Sequence, residues 1–270
     1  MIVDTHCHVS DGWYEPAETL LFQMDRCGVE RAWLVQLLGV YDNAYQSRCA
    51  AGHPDRFVNI VGVDWTRADA VAEIQRLAAE GARGVRLRPG ARSPGGDPLA
   101  IWRAAHDCAL VVSCIGTATQ FAEPAFDALI AELPDLPIVL EHLGGLARAD
   151  VGDASAAVPA ITALARHRSI HLKLPGLGQL LSRDKLATAQ SRGEALAETP
   201  LATIRAAFGP ERLMWGSDFP VVASREGYRN ALTWAREALP EADRGAILGG
   251  AAASLFESAS HESTTKGRTR

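Results

Sequence analysis

Along this chain, short apolar runs alternate with longer stretches in which apolar residues recur at helical spacing. The first run, Ile2 to His8, reads as a strand. It is followed by a helix over Glu15 to Cys27, with Leu20, Leu21, Met24 and Cys27 in step and Gly28 as its stop. Arg31 to Leu38 is almost continuously apolar, as in a strand covered on both faces. Asn43 to Ala51 predicts a short helix and Phe57 to Trp65 a third strand. Arg67 to Ala79 predicts a helix whose stripe is Val71, Ile74, Leu77 and Ala78. Gly84 to Arg88 reads as strand four, Gly90 to Pro98 as a Gly- and Pro-rich loop, Leu99 to Cys108 as a helix and Ala109 to Ile115 as strand five. Glu123 to Leu133 is helical and Ile138 to Leu143 is strand six. Ala154 to His167 is an Ala-rich helix and Ile170 to Leu174 is strand seven. From Gly178 to Leu201 the chain is polar and helix-compatible without a clear period, which predicts a loop with helical insertions leading into a helix over Thr203 to Phe208. Arg212 to Ser217 makes strand eight, and helices over Glu226 to Leu239 and Ala242 to Phe256 close the pattern.

About eight strands alternating with helices favour an α/β fold, a TIM-type (β/α)8 barrel of one domain over residues 1–257. Residues 258–270 carry no large apolar side chain and read as a disordered C-terminal tail. No G-x-G-x-x-G or phosphate-binding loop follows any strand, which counts against an open nucleotide-binding sheet. Composition agrees with one sizeable core: 270 residues, 47% of them hydrophobic. The net charge of −5 is mild and no basic stripe is interleaved with aromatics, so nucleic acid is not expected as a partner. No apolar run approaches the ~20 residues that span a bilayer, and no signal segment opens the chain, so the expectation is a cytoplasmic protein without a membrane partner. Five scattered cysteines (Cys7, Cys27, Cys49, Cys108 and Cys114) form no C-x-x-C and read as reduced, mostly buried thiols. Oligomeric state, a homo-oligomer included, is left open.

In such a barrel the active site lies where the strands end. Here those ends carry His6 and His8, Gln36, Asp64, Arg86 and Arg88, Cys114, His142, Lys173 and Asp218. A strand's period of two places His6 and His8 on one face, about 7 Å apart, where their rings can converge on one ion. Alone, the pair is equally compatible with surface histidines. Ten polar residues together imply a pocket, because each charge taken out of water costs several kcal/mol unless it is paired or metal-bound. Arg86 and Arg88 alternate with Leu87 and so share a side, from which two guanidinium forks can bind carboxylates; the competing reading is an ion pair of either with Glu141 or Asp64. Lys173 adds charge at the same mouth or pairs with a neighbouring acid.

His6-Cys7-His8, Glu141-His142-Leu143-Gly144-Gly145 and Gly216-Ser217-Asp218-Phe219-Pro220, in that order, resemble the amidohydrolase superfamily. Tyr41-Asp42-Asn43, Gly84-Val85-Arg86-Leu87, Lys173-Leu174 and Met214-Trp215-Gly216-Ser217-Asp218 look like its branch of 2-pyrone-4,6-dicarboxylate hydrolases and fuconolactone-type lactonases. The resemblance covers residues 1–256 and implies a hydrolase that opens a small carboxylated or polyhydroxylated lactone. In it, His6, His8, His142 and Asp218 are the catalytic and metal-binding set, and Arg86, Arg88, Lys173, Gln36 and Tyr41 contact the substrate. Two departures matter. Many relatives have an H-x-G at the end of strand five, where this chain has Cys114-Ile115-Gly116. The strand-four position that bridges two metals elsewhere holds Arg86 and Arg88. The expectation is therefore one divalent metal, Zn²⁺, on the four residues with a position open for water, or a metal-free variant of the same chemistry; Cys114 is a further candidate thiolate ligand. Asp218 acts as general base on the attacking water, and the metal or His142 polarises the carbonyl. The alternatives are a metal-dependent decarboxylase of aromatic or muconate-type acids, and a non-catalytic small-molecule-binding barrel. Loops Gly12 to Glu15, Gly90 to Pro98 and Gly178 to Glu198 are expected to read the substrate.

Overall fold

A computed structural model describes residues 1–147 and 154–256. The expected tail over 258–270 lies outside the described residues. Eight parallel strands run in sequence order: β1 (Val3–Cys7), β2 (Arg31–Val35), β3 (Phe57–Gly62), β4 (Gly84–Leu87), β5 (Val111–Cys114), β6 (Ile138–Leu140), β7 (Ile170–Leu174) and β8 (Leu213–Trp215). Each is paired with the next from β1 to β8. The ring is closed between β8 and β1 by main-chain bonds just beyond β8, Asp218 N–H to the His6 carbonyl at 2.9 Å and His8 N–H to the Phe219 carbonyl at 2.7 Å. The Thr5 hydroxyl adds a bond to the Trp215 carbonyl at 2.8 Å. This is a (β/α)8 barrel, as the alternation of strands and helices predicts.

The helices are α1 (Ala17–Cys27), α2 (Ala44–Gly52), α3 (Ala70–Ala79), α4 (Ala100–Asp107), α5 (Ala118–Phe121), α6 (Pro124–Glu132), α7 (Ala154–Ala163), α8 (Arg183–Leu186), α9 (Ala189–Ala197), α10 (Leu201–Phe208), α11 (Tyr228–Ala238) and α12 (Glu241–Gly245). Leu20 and Met24 bury the inner face of α1, which ends at Gly28 in the left-handed conformation. The polar stretch after β7, expected as a loop with helical insertions, contains the two short helices α8 and α9. Its signal was a cap, the Thr188 hydroxyl accepting from Ser191 N–H at 3.0 Å. A similar Thr117–Gln120 capping box starts α5, which hydrophobic period alone does not predict. The single helix expected over Ala242 to Phe256 is interrupted by a π-helical turn over Ala246–Gly250, where Gly249 presses on the Met1 carbonyl with no space for a Cβ. Among the described residues no helix is long and apolar enough to cross a membrane.

Two apolar clusters separate the layers. The larger lies between strands and helices, and takes Leu34, Val85, Leu87, Val112, Cys114, Leu140, Leu172, Leu174 and Trp215. The smaller gathers Val3, Trp33, Val35, Ile60, Val111, Val139 and Met214 inside the barrel, floored by Ala251, Ala252 and Leu255. The alternation of strand side chains then places Arg86, Ser113, Glu141, His171 and Lys173 inside as well. On β1 the pairing register shifts between Asp4 and Cys7. That irregularity lets Val3 face in while Cys7 faces the helices, with His6 turned into the mouth.

Candidate active site

The C-terminal mouth is assembled around the β8–β1 seam. Asp4, buried below it, accepts from Ser217 N–H at 2.8 Å and His6 N–H at 3.2 Å, which ties the two motif-bearing segments together. Gly216 is required there, since a Cβ would come within 2.7 Å of the His6 Cβ. Four non-glycine residues among those described have positive φ; Asp218 (65°), His142 (51°) and Leu143 (56°) are three of them. Left-handed backbone at non-glycine residues costs about 1–3 kcal/mol each, and such strain gathers where side chains must be aimed. Gly144 and Gly145 carry the chain on from His142, and a Cβ on Gly145 would lie 2.6 Å from Ala118 N.

The His6 ring is close to both other histidines, with centroids 4.9 Å from His8 and 5.1 Å from His142. Asp218 Oδ1 lies 3.8 Å from His6 Nε2 and 3.7 Å from His8 Nε2. The other carboxylate oxygen, Oδ2, is already occupied. It accepts from Gln179 Nε2 at 2.6 Å and from Arg225 Nη1 at 3.2 Å. The partners also set the tautomers. A carbonyl can only accept, so His8 Nδ1–H donates to the Val35 carbonyl at 2.7 Å and leaves a lone pair on Nε2 facing Asp218. His142 Nδ1–H likewise donates to Gln179 Oε1 at 2.9 Å, which leaves its Nε2 lone pair open. Burial lowers His8 to about 4, with Arg86 acting in the same direction, so it is a neutral imidazole at ordinary pH.

Beneath the histidines runs a buried polar chain. Arg86 pairs in two-pronged fashion with Glu141, at 3.1 and 2.7 Å, and its third donor reaches the Gln36 carbonyl at 2.8 Å. Ser113 donates to Glu141 at 2.8 Å and accepts from Lys173 Nζ at 2.8 Å, and Lys173 lies 3.0 Å from His6 Nδ1. Burial works against the charge of Glu141, but Arg86 and Lys173 outweigh it and hold the carboxyl at about 2. Burial lowers Lys173 to about 8 despite Glu141. As an ammonium, Lys173 donates to His6 Nδ1, so His6 carries its proton on Nε2. That nitrogen is buried and has no protein partner.

The residues singled out in the sequence thus fall into separate groups. His6, His8, His142 and Asp218 converge at the mouth. Arg86 (7% exposed) and Lys173 (2%) are drawn below it into the Glu141 network, whereas Arg88, just past β4, is exposed. Gln36 secures the loop after β2 through the Asp42 carbonyl and Asn43, and Tyr41 on that loop is exposed. Asp64 caps its own turn through Thr66, apart from the histidines. Cys114 faces the helices, and burial raises its thiol far above the usual range, so Ser113 is the inward residue of β5. Gln179 and Arg225, at the core of the site, come from segments without a motif or period. The local signal for Gln179 is Gly176-Leu177-Gly178, whose glycines let the Glu226 carboxylate approach the turn.

His6, His142 and Asp218 offer three ligand atoms all within 4.8 Å of one another; His8 is outside that group. Two nitrogens and one oxygen suit Zn²⁺, and the partnerless His6 Nε2 is a further indication of a site built to take something. Ligation through His6 Nε2 requires the proton on Nδ1, and hence a neutral Lys173 to accept it.

The mouth of a parallel barrel lined by imidazoles and an aspartate defines an α/β-barrel protein with a cluster of residues that could hold a metal ion. The chain belongs to the amidohydrolase family, whose model matches residues 3–257. It is 31% identical over 163 residues to an L-fucono-1,5-lactonase of Burkholderia multivorans (strain ATCC 17616 / 249), a match covering 51% of this chain and 52% of that relative. The chain thus spans about half the length of that curated relative. A solved amidohydrolase from Burkholderia multivorans with bound zinc matches at TM-score 0.73 and 22% identity, over 95% of this chain and 99% of that one. A probable 2-pyrone-4,6-dicarboxylic acid hydrolase from Acinetobacter baumannii with bound citric acid matches at TM-score 0.72 and 19% identity, again over 95% and 99%. These structures share the fold.

Proposed function

We propose that this protein hydrolyses the cyclic ester of a small polyhydroxylated lactone carrying at most one carboxylate. The observation that supports this most is the division of labour in Asp218. Oδ2 is held by Gln179 and Arg225, and Oδ1 is left, among the described residues, without a hydrogen-bond donor of its own, 3.8 and 3.7 Å from the Nε2 atoms of His6 and His8. That oxygen accepts a proton from water as the water attacks the lactone carbonyl, and later returns it to the leaving alkoxide. His6, with Nε2–H aimed into the mouth while Lys173 is charged, donates to the carbonyl oxygen as negative charge develops there. His142, with Nδ1–H given to Gln179, presents its Nε2 lone pair to the mouth, where it positions water or a ligand. A divalent metal such as Zn²⁺, held by His6, His142 and Asp218, would supply Lewis-acid polarisation and a more acidic water.

The substrate's charge follows from the cations. Arg86 and Lys173 already share Glu141 as counter-charge, and among the described residues Arg88 is the exposed cation on that side of β4. One free guanidinium fits a neutral or singly charged lactone better than a dicarboxylate. The lactonase relative agrees in kind. A decarboxylase of aromatic acids is less well supported, because Cys114-Ile115-Gly116 ends strand five where an H-x-G histidine would be expected for that chemistry. All five cysteines are free thiols, which suits the reducing cytoplasm we assign to the reaction. A pH-indicator assay over sugar-acid lactones and 2-pyrone-4,6-dicarboxylate, with and without added Zn²⁺ or Mn²⁺, tests the assignment. Turnover of a sugar lactone well above that of the dicarboxylate is expected. Carbon dioxide release from dihydroxybenzoates, or no hydrolysis across the panel, would contradict it.

A further inference from the structure

We infer that Gln179 is a positioning residue that sets the proton arrangement of the site by locking two of its members, His142 and Asp218, to each other. Its single carboxamide spans the gap between β6 and β8. Nε2 donates to Asp218 Oδ2 at 2.6 Å and Oε1 accepts from His142 Nδ1 at 2.9 Å. The orientation of that amide is dictated by chemistry. An ionised carboxylate has only lone pairs to offer, so the end of Gln179 facing Asp218 must be the NH₂ group. The other end is then the carbonyl oxygen, which can only accept, so His142 must bear its proton on Nδ1. One ionised acid therefore fixes the tautomer of a histidine it does not touch. His142 Nε2 is left as a lone pair toward the mouth, and Asp218 is left with Oδ1 as its working oxygen.

The fold holds this amide in place. Gln179 ends a 3₁₀ turn, Leu177–Gln179, directly after β7. The turn is seated on Glu226, a side chain only 1% exposed, whose carboxylate accepts from Gly178 N–H at 3.1 Å and contacts Arg225 Nε at 3.4 Å. Cβ atoms on Gly176 or Gly178 would run into that carboxylate, so the glycines permit the close approach. Glu226 thus anchors both groups that occupy Asp218 Oδ2: the turn bearing Gln179, and Arg225.

This role rests on Asp218 serving as the base of the proposed hydrolysis, but its first test needs no substrate. In chelator-treated full-length protein labelled with ¹⁵N-histidine, His142 is expected to show the Nδ1–H tautomer. In Gln179→Leu it should move toward the Nε2–H form that free imidazole prefers. An unchanged His142 tautomer in Gln179→Leu would overturn the inference, whatever the lactone assay shows. Gln179→Glu separates the two halves: it still accepts from His142 but meets Asp218 with a like charge. It should retain the Nδ1–H tautomer and lose roughly 10–100-fold in kcat, with KM within about threefold, the range found when an outer residue that orients a site group is removed. Should Gln179→Leu fail to fold, Gln179→Glu decides alone. Wild-type kcat in a folded Gln179→Glu, or loss of its Nδ1–H tautomer, would show that the amide does not position these residues.

Discussion

Glu141 is fully buried between a guanidinium, an ammonium and a serine hydroxyl, and the charge of the barrel interior turns on it. Removing one partner leaves the other charge uncompensated out of water. Arg86→Met should therefore destabilise the fold by about 3–5 kcal/mol, measured by urea unfolding, whereas loss below about 1 kcal/mol would show that the pair is not load-sharing. His171, deeper on the same face of β7, is held by burial at about 4, against 6.5 in an exposed chain. A depressed folded-state value penalises the protonated form only after folding. The associated stability is thus complete above about pH 6.5 and is lost as pH falls toward 4, by up to roughly 3 kcal/mol. His171→Gln should flatten unfolding midpoints between pH 7 and 4.5; an identical acid loss in that variant would assign the effect elsewhere.

The strand ends and turns explain which parts of the site were legible beforehand. His6, His8, His142 and Asp218 stand in short motifs at the ends of apolar runs, and the barrel brings such ends to one mouth. Simple alternation from Val3 would have turned His6 toward the helices. The shift in register between Asp4 and Cys7, invisible to a period of two, reverses that. Arg86 and Lys173 lie on the inward faces of β4 and β7, but which acid claims them depends on the neighbour across β5 and β6, a relation that single-strand patterns do not hold. Gln179 and Arg225 were missed because their segments have no period at all. Close approach at the seam gives an element-level test. Gly216→Ala forces a Cβ to within 2.7 Å of the His6 Cβ. It should cost about 1–3 kcal/mol and displace His6, lowering activity more than stability loss explains. Full activity with an unchanged melting temperature would contradict the tight seam.

Across the whole molecule, the strand–helix alternation was enough to give the barrel, since each apolar run has a matching helix to cover it. The pattern did not distinguish the two faces of the barrel. The opposite face has a hollow of about 1210 Å³, lined by Trp33, Asn59, Arg83 and Phe256 among others, yet the converging imidazoles and carboxylate are at the strands' C-terminal ends. Chemistry rather than cavity size locates the site. Equilibrium dialysis should load at most one Zn²⁺ per chain, and His142→Ala should weaken it at least tenfold; two ions bound would contradict a single cluster of three ligands. The most direct test compares lactone hydrolysis by the wild-type protein and by Asp218→Asn at matched folding. A fall in kcat of roughly 10²–10⁴-fold is expected if Asp218 Oδ1 takes the proton of the attacking water. Equal rates for the two proteins would show that the base, and with it this reading of the site, is wrong.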